Sequence, residues 1–244
     1  MVIVLIITAV RIKSMDSHRI SGRILAENIA GPGMLRLVEQ SMQARARKTS
    51  VTEIAVKERK HPQAALTFDD GPDIRYTPLL LDGLKERNVR ASFFLLGEKV
   101  EQYPELVERM QKEGHLVGNH TYHHVQLDKL NETKAREEIL KTNNLIYETT
   151  GVYPLYLRPP FGAWKKNLEL CVEMLPVFWT IDTLDWKVQN TEKIVRTVQE
   201  QIEDGAIILM HDEYDTSVEA ALQVVDELKN QGYELVTVDQ LILP

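Results

Sequence analysis

The chain has 244 residues, 43% of them hydrophobic, and a formal net charge of −7. That suffices for one sizeable core, or a domain plus an appendage, and a single cysteine, Cys171, excludes an intramolecular disulfide framework. The charge is uneven: residues 11–60 hold 11 Lys and Arg against 5 Asp and Glu, residues 61–244 hold 18 against 31, and nothing in that acidic body suggests a nucleic acid partner.

The chain opens on ten apolar residues, MVIVLIITAV. A bilayer span needs about 20, and the basic Arg11 and Lys13 follow the run rather than precede it, unlike a secretory signal. A truncated anchor, a degenerate signal and a buried segment are the open readings. The first two are compatible with membrane or cell-wall association and an extracytoplasmic location. The basic arm that follows suits either contact with an anionic surface or a solvated amphipathic helix. KERKHP breaks the chain near residue 60, so an N-terminal arm of 1–60 and a folded domain of 61–244 are expected.

From His61 onward the pattern alternates. Strand-like runs are AALTF (64–68), ASFFLLG (91–97), HLVGN (115–119), LYLR (155–158), VFWTI (177–181), AIILMH (206–211) and YELVTV (233–238). Helix-like stretches fall at 77–88, 101–113, 132–150, 165–174, 191–203 and 217–231. Gly114 and Gly232 supply the usual helix stop in QKEGH and KNQGY. About seven strand–helix units predict an α/β fold with a mostly parallel sheet, a closed or nearly closed barrel, with a doubly wound open sheet as the alternative. In such folds the active site gathers at the carboxyl ends of the strands. Asp69 and Asp70 end the first strand, His120 follows the third, and Arg158, Asp182 and His211 end the fourth, fifth and sixth.

The aspartate pair in LTFDDGPD is costly, because adjacent like charges in a partly buried place repel. Of seven histidines, three lie within five residues, HTYHH. His120 and His124 at i and i+4 project from one face of a helical turn, a spacing that suits a divalent metal. Imidazole with carboxylate fits zinc or a similar first-row ion. A satisfied polar cluster is the plainer reading. A metal explains the aspartates as well: it neutralises one carboxylate, and the other stays ionised as a base toward water.

RPPFG (158–162) sets Arg158, able to clamp a carboxylate bidentately, beside a rigid turn. There the Phe161 N–H is free to face an oxyanion. A structural salt bridge with a tight turn is equally compatible. DTLDW offers Asp182 and Asp185 with Trp186, and LMHD offers His211. A histidine held by a buried aspartate suits a general acid. Of Trp164, Trp179 and Trp186, only Trp186, beside the aspartates, is expected to wall a site.

In order, TFDDGP, HTYHH, RPPFG, DTLDW and LMH resemble the five motifs of the polysaccharide deacetylases, carbohydrate esterase family four, from Ala64 to the C-terminus. The resemblance implies a deformed (β/α) barrel and a metal-dependent deacetylase, usually with zinc, cobalt being a further option. It implies Asp69 as the base, Asp70, His120 and His124 as metal ligands, and Arg158 as the group holding Asp69. It also implies Asp182 as the partner of His211, the general acid. Trp186 and Leu209 would line the acetyl pocket, and the Phe161 backbone would face the oxyanion. Phe161 stands where many members have tyrosine. The ordinary motif set favours N-acetylglucosamine units, of peptidoglycan or chitooligosaccharides, as substrate. The competing expectations are an esterase removing O-acetyl groups from xylan and a non-catalytic carbohydrate-binding protein. A monomer is expected.

Overall fold

The computed structural model describes residues 60–164 and 174–242. The expected arm and its apolar opening, Cys171, and nearly all of the expected helix 165–174 lie outside the described residues.

A parallel sheet forms the centre. Its strands are β1 (Gln63–Asp69), β2 (Ser92–Leu95), β3 (Leu116–Asn119), β4 (Tyr156–Leu157), β5 (Leu175–Pro176), β6 (Ile181–Asp182), β7 (Ala206–His211) and β8 (Glu234–Leu235). They lie in the order β5-β4-β3-β2-β1-β7-β6, with β8 beside the start of β1. Every strand pairing is parallel. β5 and β6 do not pair, so the sheet curls without closing. The expected strand VFWTI is instead the link between those two edges. Val177 N–H donates to Leu157 O at 2.8 Å on one edge, and Thr180 N–H to Ile207 O at 2.9 Å on the other. The run therefore continues one edge at Val177, joins the other at Thr180 and spans the gap of the barrel between them.

Around the sheet run α1 (Tyr76–Glu86), α2 (Gly97–Gln102), α3 (Pro104–Lys112), α4 (Glu132–Thr150), α5 (Asp185–Val188), α6 (Thr191–Gln201), α7 (Asp215–Asn230) and α8 (Val238–Ile242). The single helix expected at 101–113 is divided at Pro104, which begins α3 as its first residue. Proline suits that position because its missing N–H has no partner to lose there. Asn131 and Asn190 cap α4 and α6 by accepting from the N–H of Lys134 and Lys193, each at 2.9 Å. Gly114 and Gly232 take left-handed conformations just past α3 and α7.

β1 sits between neighbours on both edges, with helices over one face. Ala64, Leu66 and Phe68 join the main core with Phe93 of β2 and Met210 of β7, and Phe68 stacks on Phe93 at 5.2 Å. Side chains alternate along a strand, so Thr67 and Asp69 face the other side. Register sets Thr67 beside Leu209 and Asp69 beside His211. The opposite parity on the same strands thus supplies the barrel interior with its functional groups.

Candidate active site

A cavity of about 490 Å³ opens at the carboxyl ends of the strands. Its wall includes Asp69, Asp70, His120, His124, Phe161, Asp182, Trp186, Leu209 and His211. Nine of the ten expected site residues therefore line one space. The tenth, Arg158, is fully buried behind Asp69.

Asp70 leaves β1 with φ 69°, which turns its carboxylate back over the sheet. Its Oδ1 lies 3.4 Å from His120 Nε2 and 3.5 Å from His124 Nε2. That oxygen is buried and receives no hydrogen bond. His120 Nδ1 donates to the Arg158 carbonyl at 2.7 Å. This fixes the tautomer and leaves the Nε2 lone pair facing Asp70. Burial pushes the His120 pKa down to about 3, so the ring is a neutral ligand at ordinary pH. One donor atom from each of Asp70, His120 and His124 lies within 4.8 Å of the others. Two imidazole nitrogens and an otherwise unpartnered carboxylate oxygen fit a divalent first-row ion such as zinc.

The histidines do not share a helical face, as their spacing predicts. HTYHH forms a bend after β3, with Thr121 at φ 67° and His124 at φ 55°. Glu138 of α4 pins the bend, accepting from the N–H of Tyr122 at 3.1 Å and of His123 at 2.9 Å. It also binds His123 Nδ1 at 2.8 Å. That holds the His123 ring, 59% exposed, away from the triad. Glu138 has no signal near the motif in the sequence.

Arg158 Nη1 donates to Asp69 Oδ1 and to Thr67 Oγ1, both at 2.7 Å. The contact is single rather than the bidentate clamp expected. The guanidinium also lies 4.2 Å from the Phe94 ring centroid. Burial raises the Asp69 pKa above its ordinary value, outweighing the lowering by Arg158.

His211 does not pair with Asp182. Its Nδ1 donates to Asp185 Oδ1 at 2.7 Å, and its backbone N–H to Asp185 Oδ2 at 2.8 Å. Strand register explains the correction. Asp182 lies beside Leu209, two residues short of His211, roughly 6.6 Å along the strand. Asp182 instead accepts from the N–H of Leu184 at 3.0 Å, closing a turn in which Leu184 has φ 52°. That turn delivers Asp185, fully buried at the start of α5, to the imidazole. Burial works against the imidazolium, but the hydrogen bond and charge of Asp185 prevail and raise the His211 pKa to about 9.

Trp186, 48% exposed, walls the cavity, and so does Trp179, whose run sequence reading assigns to an ordinary strand. Trp164 packs with Leu127 and Leu157. Phe161 has φ 61° in the turn after β4, and its ring meets that of His124 edge-on at 4.6 Å. Leu184, Glu213 and Tyr214 complete the wall. Leu184 stands in DTLDW, where sequence reading gave it no role, and Glu213 and Tyr214 lie outside every motif singled out from sequence.

Comparison with known proteins identifies the family and the fold. The polysaccharide deacetylase family profile matches residues 56–177, and the chain is 40% identical to a peptidoglycan-N-acetylglucosamine deacetylase of Bacillus cereus over 73% of its length and 68% of the relative's. The chain belongs to the polysaccharide deacetylase family. Within it, the peptidoglycan-N-acetylglucosamine deacetylase PgdA of Listeria monocytogenes is 42% identical over 76% of this chain, which spans only 40% of that relative. The solved peptidoglycan deacetylase PdaC of Bacillus subtilis superposes with a TM-score of 0.73 at 42% identity, covering 75% of this chain and 91% of that one. PdaC is described as acting on N-acetylmuramic acid. The polysaccharide deacetylase motifs recognised in the sequence thus occur in a fold shared with solved members of the family.

Proposed function

We propose that this chain is a metal-dependent deacetylase that hydrolyses the acetamide of N-acetylglucosamine units in a polysaccharide, peptidoglycan foremost. The observation that carries the reading is the convergence, in one cavity, of a three-donor metal triad with two differently tuned proton carriers. Asp70, His120 and His124 would hold the ion, zinc by the donor set, with cobalt as a working substitute. The ion would supply Lewis acidity to the attacking water and the acetyl carbonyl.

The chain's own groups do the rest. Asp69 Oδ2 lies 3.7 Å from His120 Nε2, beside the triad, and its raised proton affinity suits it to take a proton from water. Arg158 holds that carboxylate by its other oxygen. The Phe161 N–H is assigned to the oxyanion that forms as water adds to the acetyl carbon. Leu209 and Trp186 enclose the methyl. His211, kept as imidazolium by Asp185, gives its proton to the amine nitrogen as the C–N bond breaks. Acetate and a glucosamine unit leave. All these groups come from one chain, so a monomer suffices. Work on a cell-wall polymer would put the site of action outside the cytoplasm. No described helix is long and apolar enough to cross a membrane.

Acetate release should be measured in parallel on N-acetylglucosamine oligomers, peptidoglycan and acetylxylan, before and after chelation. Release from the first two, lost on chelation and restored by zinc or cobalt, is the expected result. Release from acetylxylan alone supports the O-acetyl esterase reading. A metal-loaded protein inert on all three supports a binding protein instead.

A further inference from the structure

Asp212 follows His211 at the end of β7 and is fully buried, yet none of the proposed steps uses it. Its carboxylate lies against Gly71, where an added Cβ would stand 2.5 Å from Oδ1 and 2.8 Å from Oδ2. Only glycine fits there without displacing it. Oδ2 accepts from the Thr77 hydroxyl. That hydroxyl in turn accepts from the Asp73 N–H at 2.7 Å. The Asp73 side chain accepts from the N–H of Arg75 at 2.8 Å and of Tyr76 at 2.9 Å, and Leu96 N–H reaches the Gly71 carbonyl at 3.2 Å. Asp212 Oδ1 has no hydrogen-bond partner.

A buried carboxylate with one oxygen unsatisfied is unfavourable. Burial raises its pKa to about 7, against the pull of Thr77 and Lys99. What the arrangement secures is the turn from Asp70 to Asp73. Asp70 sits in the left-handed region at φ 69°, a conformation that non-glycine residues keep only where their surroundings impose it. Asp212 meets that turn in two places, by contact at Gly71 and through Thr77 at Asp73.

We propose that Asp212 is a positioning residue: through Thr77 and Gly71 it holds the 70–73 turn so that the Asp70 carboxylate stays directed at His120 and His124. The inference rests on reading those three residues as a metal site. Its test is titration with zinc ion alone, against a chromophoric competitor, with the visible spectrum of the cobalt form as a second readout and circular dichroism as the check of folding. Asp212→Ala and Thr77→Val should each weaken zinc binding about 10- to 100-fold, as losses behind a metal ligand do, and should alter the cobalt spectrum. Thr77→Ser keeps the hydroxyl, and Asp212→Asn keeps an oxygen for it, so both should retain most of the affinity. A folded Asp212→Ala or Thr77→Val protein with unchanged affinity and spectrum overturns the proposal. Should Asp212→Ala not fold, Thr77→Val decides alone. A parent protein that binds no zinc overturns the triad itself, a result distinct from failure of the Asp212 link.

Discussion

Asp69 and Asp185 both serve the candidate site, one in its wall and one behind His211; both are nearly or fully buried and paired with a nitrogen group, yet their proton affinities move in opposite directions. Asp69 is bonded by one Arg158 nitrogen, which it shares with Thr67. Burial therefore prevails and the carboxylate is made more basic. Asp185 suffers burial too, but two donors of one residue, the His211 ring and backbone N–H, more than offset it and hold its pKa down. Two buried carboxylates thus become unequal acids: desolvation prevails at Asp69, while the hydrogen bonds and charge of His211 prevail at Asp185. In the proposed mechanism the first carboxylate accepts a proton and the second stays charged and keeps His211 protonated.

The sharpest way to break this comparison is Asp69→Asn. It removes the base and spares the triad, so turnover should fall about 10²- to 10⁴-fold while zinc content, read by metal analysis, stays at the parent value. Loss of the metal from this variant would make Asp69 a ligand instead.

Next comes the pair Asp185→Asn and Asp182→Asn. The first removes the charge that lifts His211 to about 9, so turnover should fall about 10²-fold and the alkaline limb of the pH–rate profile should move to lower pH. The second should leave that limb in place. The opposite ranking would restore Asp182 as the partner. The same pair has a stability signature. The folded pKa of His211 is raised from 6.5 to about 9, so its contribution is full below the unfolded value and is lost as pH rises through the folded one. Denaturation of the parent and of Asp185→Asn should therefore differ most at about pH 6 and converge above about pH 9.

A smaller effect is expected for Arg158→Lys. Lysine keeps the charge but not the planar fork that reaches Thr67 and Asp69 together. Turnover should fall about tenfold, for roughly 1.4 kcal/mol. Weaker stabilisation of the Asp69 carboxylate should move the acid limb to higher pH. An unmoved acid limb would show that Arg158 serves the fold alone. Smallest of all is His123→Ala. The exposed His123–Glu138 pair should contribute less than about 1 kcal/mol, and zinc content and turnover should stay as in the parent. Loss of metal would overturn the assignment of His120 and His124 as the imidazole ligands.

Periodicity and turn residues alone disclosed most of the framework. The buried run of β1, the glycines after α3 and α7, the bounds of α4 and the polar residues at five strand ends could all be read directly. They could be read because burial period and turn chemistry act over a few neighbouring residues. The charged pair in TFDDGP and the histidine cluster likewise announced chemistry, since such groups are costly without a partner. Which group meets which was decided elsewhere. Asp182 and Asp185 are three residues apart and chemically identical, and only the register of β6 against β7 gives His211 to the second. His120 and His124 converge through a bend pinned by Glu138 from a helix fifteen residues on, not through a helical turn. Trp179 reaches the cavity because its run crosses the gap of an incompletely closed barrel. Asp212 and Gly71 touch across 141 residues of chain. Each of these is a distance between elements, fixed by how sheet and helices pack, and local sequence carries no term for it.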